Sequence, residues 1–319
     1  MAATLSKTER MCQLRNVVLW ISVPVVAITL LIACLFYSNL TRTLAVLYII
    51  YINLDNSYAK ANSGSSWIRN LDFWKTKAAY YPASLHKTAE LPTDRPYIFG
   101  YHPHGVICVG CAMSFGTEAL GVSKKFPGIK IHPATLHMNF LIPGFREMLL
   151  SGGYVGCGKK SLTYCLRKNE SVVLVVGGAQ EAMDAIPGTN TLTIKKRFGF
   201  IKLALENGAG LVPVFGFGEN DLWDQVNNRE GTLVRRFQEL VKRIIGASPL
   251  LVIGRFGVIP FRKQVNIVVG APILCPKVDK PTDEQVQKYH ALYVDALERL
   301  YHDHKDRLLP DRTCDLVIS

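Results

Sequence analysis

From Val17 to Ser38 the chain reads "VVLWISVPVVAITLLIACLFYS" without a charged residue. As a helix, this run is long enough to cross a hydrocarbon layer of about 30 Å. A signal peptide carries a shorter apolar stretch, roughly 7 to 15 residues, ending at a small-residue cleavage site; neither feature is visible. A buried core helix would satisfy the same length test. After "NLTR" comes a second apolar run, Thr43 to Asn53, too short for a perpendicular crossing. Two shapes remain: one span plus an interfacial piece, or a hairpin turning near Asn39 to Arg42. Lys7, Arg10 and Arg15 precede the segment, and Lys60, Arg69, Lys75 and Lys77 follow it. Basic residues on both sides hold both ends in the cytosol, which favours the hairpin. The expected organisation is a cytosolic N-terminus over 1–15, a membrane hairpin over 16–54, an irregular membrane-surface connector over 55–96 and a globular domain over 97–319.

The domain has the means to fold: 49% of the 319 residues are hydrophobic, enough for a sizeable core. Eight cysteines show no dense secreted framework. Cys108 and Cys111 form one CxxC with no second pair to complete a zinc site, so reduced thiols are the preferred reading. A net charge of +12 suits a negatively charged partner. No zinc-finger spacing, basic zipper or RNA-binding signature accompanies it, which argues against nucleic acid. Anionic lipid headgroups and a phosphate-bearing cosubstrate fit better beside a membrane segment.

Beyond Arg95, β-rich runs alternate with helical patterns. Strands are expected near Tyr97 to Tyr101, Ile129 to Ile131, Val172 to Val176, Leu211 to Phe217, Leu250 to Ile253 and Val265 to Val269. Helices are expected near Val106 to Leu120, Phe140 to Leu150, Leu162 to Lys168, Phe198 to Asn207 and Thr232 to Ile245. The alternation implies an α/β fold, a mixed sheet covered by helices. A last helix opens with Thr282 and Gln285 at capping-box spacing and repeats apolar residues from Val286 to Leu300. In Thr232 to Ile245, Leu233, Phe237, Leu240, Val241 and Ile244 form one stripe, read as core-facing with a solvated basic face, in preference to a membrane-contact helix.

Chemistry concentrates at "YIFGYHPHGVICVG", where His102 and His104 flank Pro103 at the end of an apolar run, with Gly105 behind. A metal site would need a third ligand; His132 and His137 lack diagnostic spacing. Gly153 to Lys159 imitates a phosphate-binding loop, but Lys160 stands where Ser or Thr must reach magnesium. Its glycines and lysines could still cradle phosphates. No G-x-S-x-G nucleophile elbow occurs. One histidine suffices for acyl transfer from a thioester to an alcohol, because it removes the hydroxyl proton as the oxygen attacks, worth about 10²- to 10⁴-fold. A carboxylate should orient that imidazole, and Glu181 follows the buried run "VVLVVGG" at the edge where α/β sheets place ligands.

"YIFGYHPHG", "VVGGAQE" and "KKRFGFIKLALENGAGLVPVFGFGENDLW", with "YYP" at Tyr80 to Pro82, resemble the diacylglycerol O-acyltransferase 2 family of diacylglycerol, monoacylglycerol and wax-alcohol acyltransferases. The likeness runs from about Trp67 to the last helix. It implies an integral membrane enzyme of the endoplasmic reticulum and lipid droplets, with its catalytic domain cytosolic. The implied cosubstrate is acyl-CoA, the acceptor is a neutral lipid alcohol with diacylglycerol preferred, and no cofactor or metal is expected. His102, His104 and Glu181 fall in the implied active site; Arg197, Gly199, Glu219 and Asn220 lie in the other shared blocks. Lys159, Lys160 and Arg197 are expected to meet the CoA phosphates, and Gly105 to let substrate approach the backbone. The H-x-x-x-x-D pattern of glycerophosphate-type acyltransferases is absent, since that count from His102 ends on Ile107 and from His104 on Val109. The partner carboxylate must come from elsewhere, and Glu181 is the candidate. A non-catalytic lipid-droplet scaffold is the alternative from another class, and a homo-oligomer is compatible with the sequence.

Overall fold

The computed structural model describes residues 5–228, 231–246 and 248–319; the first four residues of the expected N-terminal segment lie outside these. Helix α1 (Lys7–Tyr37) begins well before the apolar run, because Ser6 and Glu9 form a capping box in which each backbone N–H finds the other's side chain. The segment expected as a cytosolic tail is therefore largely helical. Gln13, Asn16 and Val17 are buried: Asn16 Nδ2 donates to Phe73 O at 3.2 Å, and Lys77 Nζ lies 3.3 Å from the Trp20 ring. Further along, Val25, Leu30 and Phe36 are exposed, unlike a core helix. This stretch is the chain's candidate membrane span among the described residues.

Ser38 ends α1 and caps α2 (Asn39–Leu54). Thr41 Oγ1 and Arg42 Nε donate to Cys34 O and Leu35 O, so the last carbonyls of α1 are satisfied within the turn. Ala27 and Tyr48, roughly equidistant from Ser38, both meet the same loop. A Cβ on Gly144 would lie 2.6 Å from Ala27 Cβ, and Tyr48 Oη donates to Glu147 Oε2 at 2.7 Å. The helices thus fold back on each other as a hairpin. At about 24 Å, the 16-residue α2 is short for a full crossing.

Among the described residues eleven strands follow: β1 (Ser84–Lys87), β2 (Tyr97–His102), β3 (Ile131–Thr135), β4 (Val155–Gly156), β5 (Ser171–Val175), β6 (Asn190–Leu192), β7 (Gly210–Phe217), β8 (Asp224–Gln225), β9 (Val252–Ile253), β10 (Asn266–Val269) and β11 (Leu316–Ile318). Seven form the central sheet in the order β1-β10-β7-β2-β5-β3-β4. β2 pairs in parallel with β5 and β7, and β10 runs antiparallel to β7. The sheet is mixed and parallel-rich, as expected of the α/β class. Alternation along β2 sends Tyr97, Phe99 and Tyr101 into one core and Ile98 into the other. The Asp283–Leu308 helix closes the second core with Tyr293, Leu297 and Tyr301; its Thr282–Gln285 capping box forms as the spacing predicts.

Three expectations need correction. The connector folds into the domain: Asp72–Tyr80 is a helix and β1 is the edge of the central sheet, made continuous by its pairing with β10. Leu250 to Ile253 contributes only β9, which pairs with β8 outside the main sheet. In the Leu233–Ile245 helix the stripe read as core-facing is turned outward: Leu233, Phe237, Leu240 and Ile244 are exposed while Arg235 and Gln238 are buried.

Candidate active site

Neighbouring parallel strands stand about 4.8 Å apart, so the loops leaving β7, β2 and β5 at their C-terminal ends must meet at one sheet edge. These loops carry Glu219, the His102–Gly105 turn and Glu181. The short Gly178–Met183 helix after β5 buries Glu181. Its Oε2 accepts from His104 N at 3.0 Å and its Oε1 from Thr193 N at 2.8 Å. The expectation that Glu181 orients the imidazole is therefore corrected: the carboxylate grips the His104 main chain, not the ring. Burial pushes the Glu181 carboxyl up to about 7, against the pull of those two N–H donors and of Arg197. Gly177 makes the arrangement feasible, since a Cβ there would fall 1.8 Å from the Glu181 carboxyl carbon.

The two histidines are not equivalent. His104 is half-buried, and its Nδ1 lies 2.9 Å from Gly105 O. A carbonyl only accepts, so Nδ1 carries the proton and Nε2 is left with the basic lone pair. Burial lowers the His104 pKa below the usual histidine value, which keeps the ring neutral at neutral pH. His102 is fully buried on the opposite face of β2 from Tyr101. Its Nε2 lies 3.2 Å from Tyr293 Oη, which itself donates to Gly100 O at 3.1 Å. Nε2 is then the donor, and Nδ1 has no partner among the described residues. Desolvation drives the His102 pKa down to about 3. The absence of a side chain at Gly100 admits the phenol, because a Cβ there would meet Tyr293 Oη at 1.9 Å.

Glu219 supports the turn from beneath. Its Oε2 accepts from Tyr101 Oη at 2.7 Å and Gly110 N at 2.9 Å, while Oε1 is buried with no partner among the described residues. Desolvation pushes this carboxyl up to about 7, opposed in part by the hydrogen bonds from Tyr101 and Gly110. Gly105 has φ +58, and a Cβ there would fall 2.7 Å from Glu219 Cγ, so packing accounts for the glycine. Asn220 points away, donating to Thr189 O at 2.8 Å.

The three cations expected to act together are separated. Lys159 is paired with Glu206 at 2.7 Å, near the C-terminus of the Gly199–Asn207 helix, and Lys160 is exposed beside it. Arg197 lies just before that helix's N-terminus, which is about 10 Å along the axis from Glu206, with Nη2 at 3.5 Å from Gly177 O. Exposed Lys195 and Lys196 adjoin it, so the basic run near Glu181 is Lys195–Arg197. His132 and His137 sit elsewhere, His132 between Gly153 O and Glu170 and His137 against Tyr58.

Sequence reasoning missed Tyr101, Tyr293, Lys77 and Thr193. Strand alternation could have found Tyr101, but Tyr293 belongs to an apolar helical stripe that reads as ordinary core, and "KTKAAYYP" gives no sign that Lys77 is buried.

A profile of the diacylglycerol acyltransferase family matches residues 34–319. Diacylglycerol O-acyltransferase 2 of Xenopus tropicalis is 42% identical, over 95% of this chain and 88% of the relative. The Dictyostelium discoideum enzyme of the same name is 41% identical, over 92% and 91%, and the Homo sapiens one 40%, over 96% and 82%. Among solved structures, the 1-acyl-sn-glycerophosphate acyltransferase PlsC of Thermotoga maritima aligns with a TM-score of 0.45 and 14% identity, over 93% of this chain and 99% of that one. With the family profile matched over most of its length and relatives near 40% identity across almost all of it, this chain belongs to the diacylglycerol acyltransferase family.

Proposed function

We propose that the protein transfers an acyl group from acyl-CoA to the free hydroxyl of diacylglycerol, with His104 as general base. The observation that carries the reading is the Nδ1–Gly105 O contact, which leaves the His104 Nε2 lone pair unprotonated on a half-buried ring at the sheet edge. The relatives' names supply the acceptor. In the reaction, Nε2 takes the hydroxyl proton as the oxygen attacks the thioester carbonyl. The new C–O bond forms, the tetrahedral intermediate collapses with C–S cleavage, and the imidazolium returns its proton to the departing CoA sulfur. A thioester is already activated, so no covalent enzyme intermediate is needed.

Other groups act by position. Glu181 fixes the main chain of His104, and Gly105 O stabilises the imidazolium that forms. His102 holds the turn from the opposite face through Tyr293. Lys195, Lys196 and Arg197 are the cations in reach of the CoA phosphates. The uncovered apolar stretch of α1 anchors the enzyme where neutral lipid is dissolved, in the endoplasmic reticulum membrane and on lipid droplets. The test is purified protein in detergent given labelled acyl-CoA with diacylglycerol, monoacylglycerol or fatty alcohol separately. Triacylglycerol should form fastest; failure to acylate any of the three would leave a lipid-binding scaffold in its place.

A further inference from the structure

The Leu233–Ile245 helix is built inside out for a water-facing helix. Leu233 is 80% exposed, Phe237 57%, Leu240 55% and Ile244 72%, at spacings that put all four on one face. The polar face is the one packed on the protein. Arg235, only 6% exposed, pairs with Asp184 at 2.7 Å. Gln238 donates to Pro249 O at 3.0 Å and accepts from Asn228 Nδ2 at 3.2 Å, and Lys242 Nζ donates to Gln180 Oε1 at 2.6 Å. The apolar surface continues beyond Pro249 through exposed Leu251, Ile253, Phe256 and Val258.

We infer that this helix and the Leu251–Val258 segment form a second membrane contact, lying in the headgroup–acyl boundary of an anionic leaflet. Two features select a lipid surface as the occupant. Arg236, Arg243 and Arg255 are exposed around the apolar surface and take part in no ion pair among the described residues, so they complement anionic headgroups. A symmetric contact between two copies would instead bring these like charges together. The surface is also continuous with the membrane segment: Arg255 and Arg262 line one wall of a 380 Å³ cleft whose other wall is Lys7, Arg10, Met11 and Leu14 of α1.

The contact reaches the candidate active site through its buried face. Gln180 and Asp184, the partners of Lys242 and Arg235, lie respectively on the Gly178–Met183 helix that carries Glu181 and at its C-cap. Asn228 Nδ2 further donates to Met183 O at 2.7 Å, and Gln225 Nε2 to Ala182 O at 2.8 Å. A bilayer that seats the Leu233–Ile245 helix therefore seats the helix holding His104. A neutral lipid acceptor, insoluble in water, then meets the site without leaving the interface.

The contact itself does not rest on the acyl-transfer reading, and its test needs no turnover. Full-length protein carrying the photocrosslinker p-benzoylphenylalanine in place of Phe237 is reconstituted in vesicles containing phosphatidylserine and irradiated. A matching substitution at Val25 of α1 serves as the lipid-facing control. Mass spectrometry of the 233–245 peptide should show phospholipid adducts, as at Val25. Adducts at Val25 but none at position 237, or crosslinks from 237 to a second copy of the chain, would overturn the inference. The paired change Leu240→Glu and Ile244→Glu tests the coupling. It should lower transfer to vesicle-borne diacylglycerol at least about tenfold while leaving transfer to a short-chain, water-soluble diacylglycerol unchanged. An equal loss on both acceptors, or on neither, would contradict the coupling.

Discussion

Replacing Gly177 with alanine isolates what Glu181 does. Gly177 has an ordinary φ of −69°, so alanine introduces no backbone strain. Its Cβ, however, would lie 1.8 Å from the Glu181 carboxyl carbon and 2.2 Å from both oxygens. To regain an ordinary 3.4 Å contact the carboxylate must retreat about 1.6 Å. A shift of that size breaks acceptor contacts now at 3.0 Å to His104 N and 2.8 Å to Thr193 N. Hydrogen bonds to a charged group are worth about 1.5 to 3 kcal/mol each, and the freed His104 N–H stays in a half-buried turn. The expected cost is therefore about 3 to 6 kcal/mol for the pair.

Part of that cost should appear as stability and part as misplacement of His104, for which an ångström can cost about 10²-fold in rate. The assay is initial acyl transfer by detergent-solubilised protein, alongside thermal unfolding of the same preparation. Gly177→Ala should lose about 10²-fold in turnover with a lowered melting temperature. Adding Glu181→Ala removes the obstruction together with both acceptor contacts, so the double variant should match Glu181→Ala alone in melting temperature and turnover. If Gly177→Ala matched the parent in both measurements, the account of Glu181 as the clamp on the His104 main chain would be wrong.

Glu219→Gln should change the pH dependence of stability. In the folded chain Glu219 titrates near 7 instead of its usual 4.5, so the native state holds an extra proton between these values and loses stability as pH rises through that window, by on the order of 1 kcal/mol per pH unit. The variant should show a shallower fall in melting temperature from pH 4.5 to 7, and an unchanged slope would refute the assignment. Neutralising Lys195, Lys196 and Arg197 together should raise the KM for acyl-CoA about tenfold and leave that for diacylglycerol unaltered, whereas Lys159→Ala should change neither, because Lys159 is already paired with Glu206; equal effects of the triple change on both substrates would sink the phosphate contact. The sequons at Asn39 and Asn169 should carry no glycan when the protein is made in microsomes, since the first sits in the hairpin turn and the second in the domain proposed to face the cytosol. An endoglycosidase-sensitive mass shift traced to Asn169 would reverse the proposed orientation.

Local pattern carried much of this architecture. An apolar run ending in two histidines reads as a strand leading into a functional turn, and Thr282 with Gln285 announces the last helix. Partner identity was harder, because it depends on chain segments far apart in sequence. Glu181 could be placed beside the histidines from its strand end, yet whether its oxygens meet a ring or a main-chain N–H depends on how two loops cross. Tyr293 reaches His102 from the far end of the chain, and only the missing side chain at Gly100 hints at the space it fills. For the Leu233–Ile245 helix, periodicity separates two faces but does not say which points inward. Asp184, Gln180 and Asn228 line the groove beneath it, so the polar face is the one that docks. β1 escaped notice because "SLHK" is a mixed edge strand, recognisable chiefly by its pairing with β10.

The central claim is that the Nε2 of His104 takes the acceptor's proton. It is tested most directly by the turnover number of His104→Ala, measured with saturating acyl-CoA and diacylglycerol on protein whose membrane insertion and melting temperature match the parent. The account predicts a fall of about 10²- to 10⁴-fold in kcat with little change in the KM for acyl-CoA. A kcat within about twofold of the parent would contradict it.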